Sequence, residues 1–131
     1  MSDNGIGQNT ARAGSFRSCA ATHAGAANRL NEDAYVNRPD LGLWAVADGA
    51  GGHASGEIAS AEVAGLLQSI DAGLSASEML VEVRSRLEAA HARLHNEASR
   101  HGSGAMVATT VVVLMARVDH FACLWAGDSR A

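Results

Sequence analysis

The stretch Leu43–Ser60, LWAVADGAGGHASGEIAS, runs from an apolar segment through one aspartate into four closely spaced glycines. The apolar residues at its start, Leu43–Ala47, predict a short strand. From Gly56 onward the apolar positions recur at helical spacing, and this segment closes at Gly73. The stretch therefore predicts a strand and a helix joined by a glycine-rich loop that begins at Asp48.

A second short strand precedes this stretch. Residues Ala34–Asn37 have the composition of a strand, and the segment Arg38–Gly42, RPDLG, contains the proline, aspartate and glycine typical of a turn. The two strands are therefore predicted to form an antiparallel hairpin.

The register of this hairpin brings carboxylates together. If Asn37 pairs with Leu43, Glu32 lies opposite Asp48, and a shift of one residue places Asp33 there instead. Like charges at opposite positions of neighbouring strands are destabilising, so either register needs a compensating cation or a raised pKa.

Two sources of positive charge are available to these carboxylates. Arg29 lies three residues before Glu32 and would neutralise part of the charge. A hard divalent ion would do so better, because Mg²⁺ and Mn²⁺ prefer carboxylate, carbonyl and water ligands. Gly49 would then permit a sharp turn that presents its carbonyl to the ion, while Gly51 and Gly52 leave room for a substrate.

The glycine-rich loop also admits two other interpretations. In the first, Asp48 merely caps a turn and the glycines form a flexible loop. In the second, Gly49, Gly51 and Ala54 match the GxGxxA pattern of dinucleotide-binding loops. The sequence disfavours nucleotide binding, because Asp48 would face the pyrophosphate and the preceding hairpin is antiparallel. Glu57 stands where a Walker A motif needs lysine.

The remaining elements follow from periodicity and turn signals. Phe16–Thr22 has the composition of a strand. A second helix opens with a capping box, Ser75 and Glu78, and carries one apolar stripe up to Gly102. The chain then predicts a long hairpin, with strands over Ala108–Val118 and Phe121–Ala131 and a turn at Asp119–His120.

This order of elements, strands followed by two helices and then strands, favours an α+β layered sandwich over an alternating α/β fold. A length of 131 residues fits a single domain. We expect that domain to span residues 15–131, after a flexible N-terminal tail over residues 1–14.

Composition restricts the partners and the compartment. The net charge is −4 and the ten basic residues are arginines scattered along the chain, so we expect no binding to nucleic acid. The N-terminus has no signal-peptide pattern, and the longest apolar run, Ala105–Ala116, is too short to span a bilayer. We therefore expect a cytoplasmic protein that does not bind membranes.

The cysteines and two histidines invite metal hypotheses that the spacing does not favour. Cys19 and Cys123 stand alone in predicted strands, so we expect buried free thiols rather than a disulfide or a metal pair. His91 and His95 have the i, i+4 spacing of metal ligands, but no HExxH glutamate lies between them. A solvated helix face is the favoured interpretation.

Four short motifs in this order resemble one family. They are Asn31–Asp33 (NED), Asp48–His53 (DGAGGH), Ala108–Thr110 (ATT) and Ala126–Ala131 (AGDSRA). Together they are similar to the bacterial metal-dependent serine/threonine protein phosphatases of the type 2C class, the PPM phosphatases. The resemblance covers roughly residues 15–131.

The resemblance implies an α-β-β-α sandwich, incomplete at the C-terminus, with two Mg²⁺ or Mn²⁺ ions in a cleft. A water activated between the ions would attack phosphoserine or phosphothreonine with no phosphoenzyme. Asp48 would be the catalytic bridge between the ions, and Gly49 would offer its carbonyl to one of them. Glu32 and Asp33 would bind metal or orient its waters. Asp128 resembles the ligand of a third, weaker ion, although a turn carboxylate paired with Arg130 is the alternative.

Two positions depart from the family pattern. The phosphate-binding arginine of the family corresponds to Asn28 here, and Arg29, one place on, is the candidate that replaces it. Ala50 stands where eukaryotic members carry a histidine proposed as general acid, and bacterial relatives commonly have an apolar residue there. His53 is interpreted as a loop residue that does not take over this role.

Family domains continue well past the GDSR motif and hold two further aspartates, in Asp-Gly and Asp-Asn contexts, that complete the first metal site. The resemblance therefore implies an N-terminal half domain that alone binds metal weakly and turns over little substrate. Its implied partners are a phosphorylated protein and a cognate serine/threonine kinase, whose action it would oppose. The alternative is a non-catalytic pseudophosphatase fragment that binds a phosphoprotein or a kinase.

Overall fold

The computed structural model describes residues 15–26, 30–51 and 54–131. The expected tail and residues 27–29 and 52–53 lie outside the described residues. The elements run as two strands, two helices and three strands, which confirms the α+β class. They are β1 (Asp33–Arg38), β2 (Leu43–Ala50), α1 (Ser55–Gln68), α2 (Ala76–Arg100), β3 (Ala108–Thr109), β4 (Val111–Arg117) and β5 (His120–Ala126).

The strands form one antiparallel sheet in the order β1-β2-β4-β5, with the short β3 paired to the end of β2. Both predicted hairpins are present. In the second hairpin Arg117 pairs with His120, so the turn is at Val118–Asp119 rather than at Asp119–His120. The turn is displaced by one residue towards the N-terminus, because β4 ends at Arg117 rather than Val118 and β5 begins at His120 rather than Phe121.

One face of the sheet packs against the helices. Along β2, Leu43, Ala45 and Ala47 are buried while Val46 and Asp48 are exposed, the alternation expected of a strand with one buried face. Helix α1 packs on β1 and β2, and α2 packs on α1. This arrangement is one helical layer on one sheet layer, two of the four layers of an α-β-β-α sandwich.

The helix boundaries follow from their first turns. Helix α2 begins with the predicted capping box, in which Ser75 Oγ accepts from the Glu78 backbone N–H and the Glu78 carboxylate accepts from the Ser75 N–H. Helix α1 starts differently. Ala54 takes the cap position in a left-handed conformation with φ 68°, and Ser55 is already helical and makes no cap.

The segment Phe16–Thr22 is not a strand, so this prediction is wrong. Within the described residues it makes no backbone hydrogen bond to the sheet and lies against it through side chains. Ser18 Oγ accepts from Trp44 Nε1 at 2.8 Å and donates to Asn37 Oδ1 at 2.6 Å, and Phe16 packs edge-on to Trp44. Strand composition alone does not form a strand, because the backbone groups need a pairing partner.

The prediction of buried cysteines is also wrong. Cys19, in this unpaired segment, is exposed, and Cys123 of β5 is half-buried. Both thiols are free, as predicted. Among the helices that the structure describes, none combines the length and the apolar composition needed to cross a membrane.

Candidate active site

Asp33 and Asp48 face each other where β1 and β2 pair. This is the alternative register, so the pairing that would set Glu32 opposite Asp48 is wrong by one residue. Asp48 lies on the exposed face of β2, the face turned away from the helices. Desolvation raises the pKa of Asp48, and the negative charge of Asp33 and a hydrogen bond with it raise that pKa further.

Asp128 approaches the same place from the far end of the chain. Its negative charge also raises the pKa of Asp48. The predicted alternative, a pair with Arg130, is not found, because the guanidinium of Arg130 donates to the backbone oxygens of Gly127 and Ser129.

Thr110 connects these two parts of the site. Its N–H donates to the Asp48 carbonyl at 2.8 Å, and its hydroxyl oxygen accepts from the Asp48 N–H at 3.3 Å. The same hydroxyl lies 2.8 Å from that of Ser129. Gly127 packs against Thr110 with φ 107°, so the turn that carries Asp128 is held against the end of β2.

Glu32 makes different contacts from those of the aspartate pair. Its backbone oxygen accepts from the Gly49 N–H at 2.9 Å. Its carboxylate lies over Gly56 in the first turn of α1, where a Cβ on Gly56 would approach Glu32 Oε1 to 2.6 Å. A carboxylate is stabilised near a helix N-terminus by the helix dipole.

Gly49 is required for a different reason from the one predicted. It is the penultimate residue of β2 and is absent from the glycines with positive φ, so no sharp turn occurs there. A Cβ at this position would overlap the carbonyl of Gly56 and lie 2.7 Å from the Glu32 oxygen. The bare backbone allows α1 to approach β2 closely, which fixes the start of the helix next to the acidic residues.

An open cavity of about 380 Å³ lies beside the aspartate pair. Asp33 and Asp48 line it together with small and aromatic residues of β1 and β2, the segment before β1, and Ser129. The lining residues are Ala21, Thr22, His23, Asp33, Ala34, Tyr35, Val46, Ala47, Asp48 and Ser129.

Several residues named from the sequence do not enter this geometry. Arg29, the phosphate-binding candidate, lies outside the described residues, as do Asn28 and His53. Ala50 is exposed at the end of β2. His91 and His95 stack on the exposed side of α2 with ring centroids 6.5 Å apart.

The chemistry of the aspartate cluster fits a divalent cation. The charges of Asp33 and Asp128 both act against ionisation of Asp48, and none of the salt bridges among the described residues involves these three side chains. Carboxylate oxygens are the ligands that Mg²⁺ and Mn²⁺ prefer. The described part of the chain does not hold three or more such side chains already arranged around one ion.

Three residues of this site did not emerge from the sequence. Thr110 and Ser129 lie inside quoted motifs and flank the two ends of the β4–β5 hairpin, but the contact between their hydroxyls was not predicted. His23 precedes Gly25 in a segment without a motif, so no local signal marks it as a cavity residue.

Comparison with known proteins places the chain in a family. The family model for protein phosphatase 2C matches residues 20–131. No curated protein matches the chain. The structure of PppA, a key regulatory component of T6SS in Pseudomonas aeruginosa, is similar with a TM-score of 0.80 and 40% identity, over 87% of this chain and 49% of that one.

The Mycobacterium tuberculosis serine/threonine phosphatase PstP/Ppp is similar with a TM-score of 0.65 and 26% identity, over 81% of this chain and 44% of that one. The chain thus spans about half the length of the solved structures that it matches. Because the family model covers the chain from the segment before β1 to its last residue, the chain belongs to the protein phosphatase 2C family.

Proposed function

We propose that this chain is the N-terminal part of a metal-dependent phosphatase domain that hydrolyses phosphoserine and phosphothreonine in proteins. The observation that carries the proposal is the pairing of Asp33 with Asp48 at the wall of one open cavity, with the charge of Asp128 acting on Asp48. A carboxylate that feels the negative charge of two others at a cavity wall suits a divalent cation better than it suits an anionic substrate alone.

In the proposed reaction, the acidic residues and Gly49 would each have a role in holding metal. Asp48 would contact two Mg²⁺ or Mn²⁺ ions, and Gly49 would offer its carbonyl oxygen to one of them. Asp33 and Glu32 would hold metal or its waters, and Asp128 would serve a third, weaker site. Bound ions would supply Lewis acidity and a water nucleophile for attack on phosphorus.

The cavity suits a phosphorylated side chain. It is open to the surface, and Tyr35 and Val46 lie on the same face of the sheet as Asp33 and Asp48, so a phosphoryl group carried on a protein surface can approach the aspartate pair. Because the carboxylates of Asp33 and Asp48 repel a phosphate dianion, we expect phosphopeptide binding to require the cation.

The chain covers about half of each solved structure, which is in keeping with part of a longer domain. We propose that two further aspartates lie in a C-terminal part and that these 131 residues alone bind metal weakly and turn over little substrate. The description of PppA as a regulatory component supports a regulatory role. We propose that in this role the protein opposes a serine/threonine kinase.

One observation favours a second candidate, a non-catalytic module that binds a phosphoprotein or a kinase. Among the described residues no three acidic, histidine or cysteine side chains are already arranged around one metal position. A module of this kind would bind phosphopeptide without turnover.

The proposal is tested by calorimetric titration of the chain with Mn²⁺, combined with release of inorganic phosphate from a phosphothreonine peptide. Three proteins are compared: wild type, Asp48→Asn and, as control, Asp119→Asn at the exposed turn between β4 and β5. We expect weak Mn²⁺ binding that Asp48→Asn abolishes and Asp119→Asn preserves, and slow phosphate release that EDTA stops.

Two results would count against this function. Equal Mn²⁺ binding by wild type and Asp48→Asn would show that the acidic cluster is not the metal site. Tight phosphopeptide binding in EDTA, with no phosphate released when Mn²⁺ is added, would favour the non-catalytic module.

A further inference from the structure

The segment before β1 forms one wall of the cavity beside the aspartate pair. Ala21, Thr22 and His23 line this wall, opposite the residues of β1 and β2. Among the described lining residues, His23 is the only one whose side chain carries nitrogen. It therefore adds a ring N–H to the hydroxyl donors of Thr22, Tyr35 and Ser129 in this part of the cavity.

The His23 ring is held in one tautomer. The backbone N–H of Gly25 donates to His23 Nδ1 at 2.9 Å. A ring nitrogen that accepts a hydrogen bond carries no proton, so the neutral imidazole has its N–H at Nε2. Gly25 has φ 81°, a conformation that favours glycine in this turn. The ring is thus oriented as an Nε2–H donor.

Asn31 fixes this wall to the acidic strand. Its Nδ2 donates to Thr22 Oγ1 at 2.9 Å, and its Oδ1 accepts from the Asp33 N–H at 3.1 Å. One amide side chain therefore links the neighbour of His23 to the first residue of β1. This bridge holds Thr22, and with it the segment that carries His23, next to the start of β1.

We propose that His23 is a substrate-binding residue whose Nε2–H donates a hydrogen bond to a non-bridging oxygen of the substrate phosphoryl group. The assignment rests on the proposed phosphatase function and adds a phosphate contact from the described part of the chain. Phosphoryl oxygens are strong acceptors, and the other side chains that line the cavity offer only hydroxyls and carboxylates as polar groups.

The test is the binding of O-phosphothreonine to the 131-residue chain in saturating Mg²⁺, measured by calorimetry and by long-range ¹H–¹⁵N spectra of the imidazole rings. Three variants are compared with wild type: His23→Asn, His23→Gln and His95→Gln. The Gln amide reaches about as far as Nε2, whereas the Asn amide reaches only as far as Nδ1. His95, exposed on α2 and outside this cavity, is the control.

We expect His23→Asn to weaken binding about tenfold, because a hydrogen bond to a charged group contributes roughly 1.5 kcal/mol or more. His23→Gln should recover most of the affinity, and His95→Gln should leave it unchanged. The ring spectra should show the Nε2–H tautomer of His23 and a shift of its signals on addition of O-phosphothreonine. Amide spectra and the melting temperature check that each variant is folded.

The outcomes separate this assignment from the function on which it rests. Mg²⁺-dependent binding that His23→Asn leaves intact, with an unmoved His23 ring signal, would overturn the assignment and leave the phosphatase proposal standing. Equal losses in His23→Asn and His23→Gln with intact folding would also overturn it, since the donor position would then not matter. If O-phosphothreonine shows no Mg²⁺-dependent binding to wild type, both proposals fall.

Discussion

Asp33 and Asp48 place two negative charges opposite each other across β1 and β2, and Asp128 adds a third. In the metal-free protein this repulsion opposes folding. We predict that Asp48→Asn raises the free energy of unfolding at neutral pH in EDTA by about 0.5 kcal/mol, the scale of a like-charge cross-strand pair. Urea unfolding measures the change, with Asp119→Asn as the control for loss of one negative charge.

The same pair predicts a pH dependence. Because the pKa of Asp48 is raised in the folded protein, the folded state binds this proton more tightly than the unfolded state does. The resulting stabilisation is complete below the ordinary aspartate pKa, about 3.9, and is lost as the pH rises through the raised value. The advantage of Asp48→Asn over wild type should therefore shrink towards pH 4. A variant less stable than wild type at pH 7 in EDTA would contradict the repulsion.

Two glycines give a matched comparison at the residue scale. A Cβ on Gly49 would overlap the Gly56 carbonyl, and we predict that Gly49→Ala destabilises the protein by on the order of 3 kcal/mol or prevents folding. Gly65 is exposed in α1 with no atom near its Cβ position, so Gly65→Ala should stabilise by about 0.5–1 kcal/mol. Thermal unfolding of both variants tests the pair. A Gly49→Ala protein as stable as wild type would refute the close approach of α1 to β2.

The sequence alone identified the acidic residues of the site, but it did not predict which of them lies opposite Asp48 in the strand pairing. Ala34, Tyr35 and Val36 of β1 are all apolar, so alternation did not mark the face of the strand that turns to the core. The turn decides the register, because the N–H of Leu41 donates to the Arg38 oxygen and Arg38 then pairs with Leu43. One residue of difference places Asp33, rather than Glu32, opposite Asp48.

At the scale of elements, a hydrogen bond between the hydroxyls of Thr110 and Ser129 connects the residue before β4 to the turn after β5. We predict that Thr110→Val and Ser129→Ala are coupled by on the order of 1 kcal/mol, so the double variant is hardly less stable than Thr110→Val alone. Urea unfolding of the four proteins in a double-mutant cycle measures this coupling. Thr110→Val combined with Ser99→Ala, on the far part of α2, should be additive, and additivity in the first cycle would show that the bond does not form.

Elements with a strong local pattern could be predicted from the sequence. The capping box at Ser75 and the apolar stripe that follows it predicted α2, and β2 has the alternation of a half-buried strand. Phe16–Thr22 shows the limit of local patterns. Its residues suit a strand, yet its side chains bind to the face of the sheet instead of pairing at an edge. Pairing is a property of two segments, so composition in one of them does not decide it.

At the scale of the whole molecule, the site depends on one long-range pairing. Each hairpin was predictable because its strands are neighbours in sequence, but the pairing of β2 with β4 joins segments on either side of both helices. That pairing brings the turn with Asp128 next to Asp48. Without it, the first hairpin still joins Asp33 to Asp48, but Asp128 has no known place relative to them.

The face of the sheet opposite the helices is only partly covered in the described structure. Phe121 and Trp125 of β5 are 79% and 63% exposed, and Val46 of β2 is 51% exposed. An edge strand with exposed aromatic residues is prone to association. Dilute protein and a check of the oligomeric state are therefore part of any binding measurement on this chain.

The most direct test of the proposed site is the map of Mn²⁺-induced broadening over the backbone amide signals of the chain. We predict that low Mn²⁺ concentrations broaden residues 32–34, 47–50 and 127–129 first, and that Asp48→Asn removes this effect. Broadening centred on the exposed His91 and His95 of α2, or broadening at the acidic cluster that persists in Asp48→Asn, would contradict a phosphatase metal site built on Asp48.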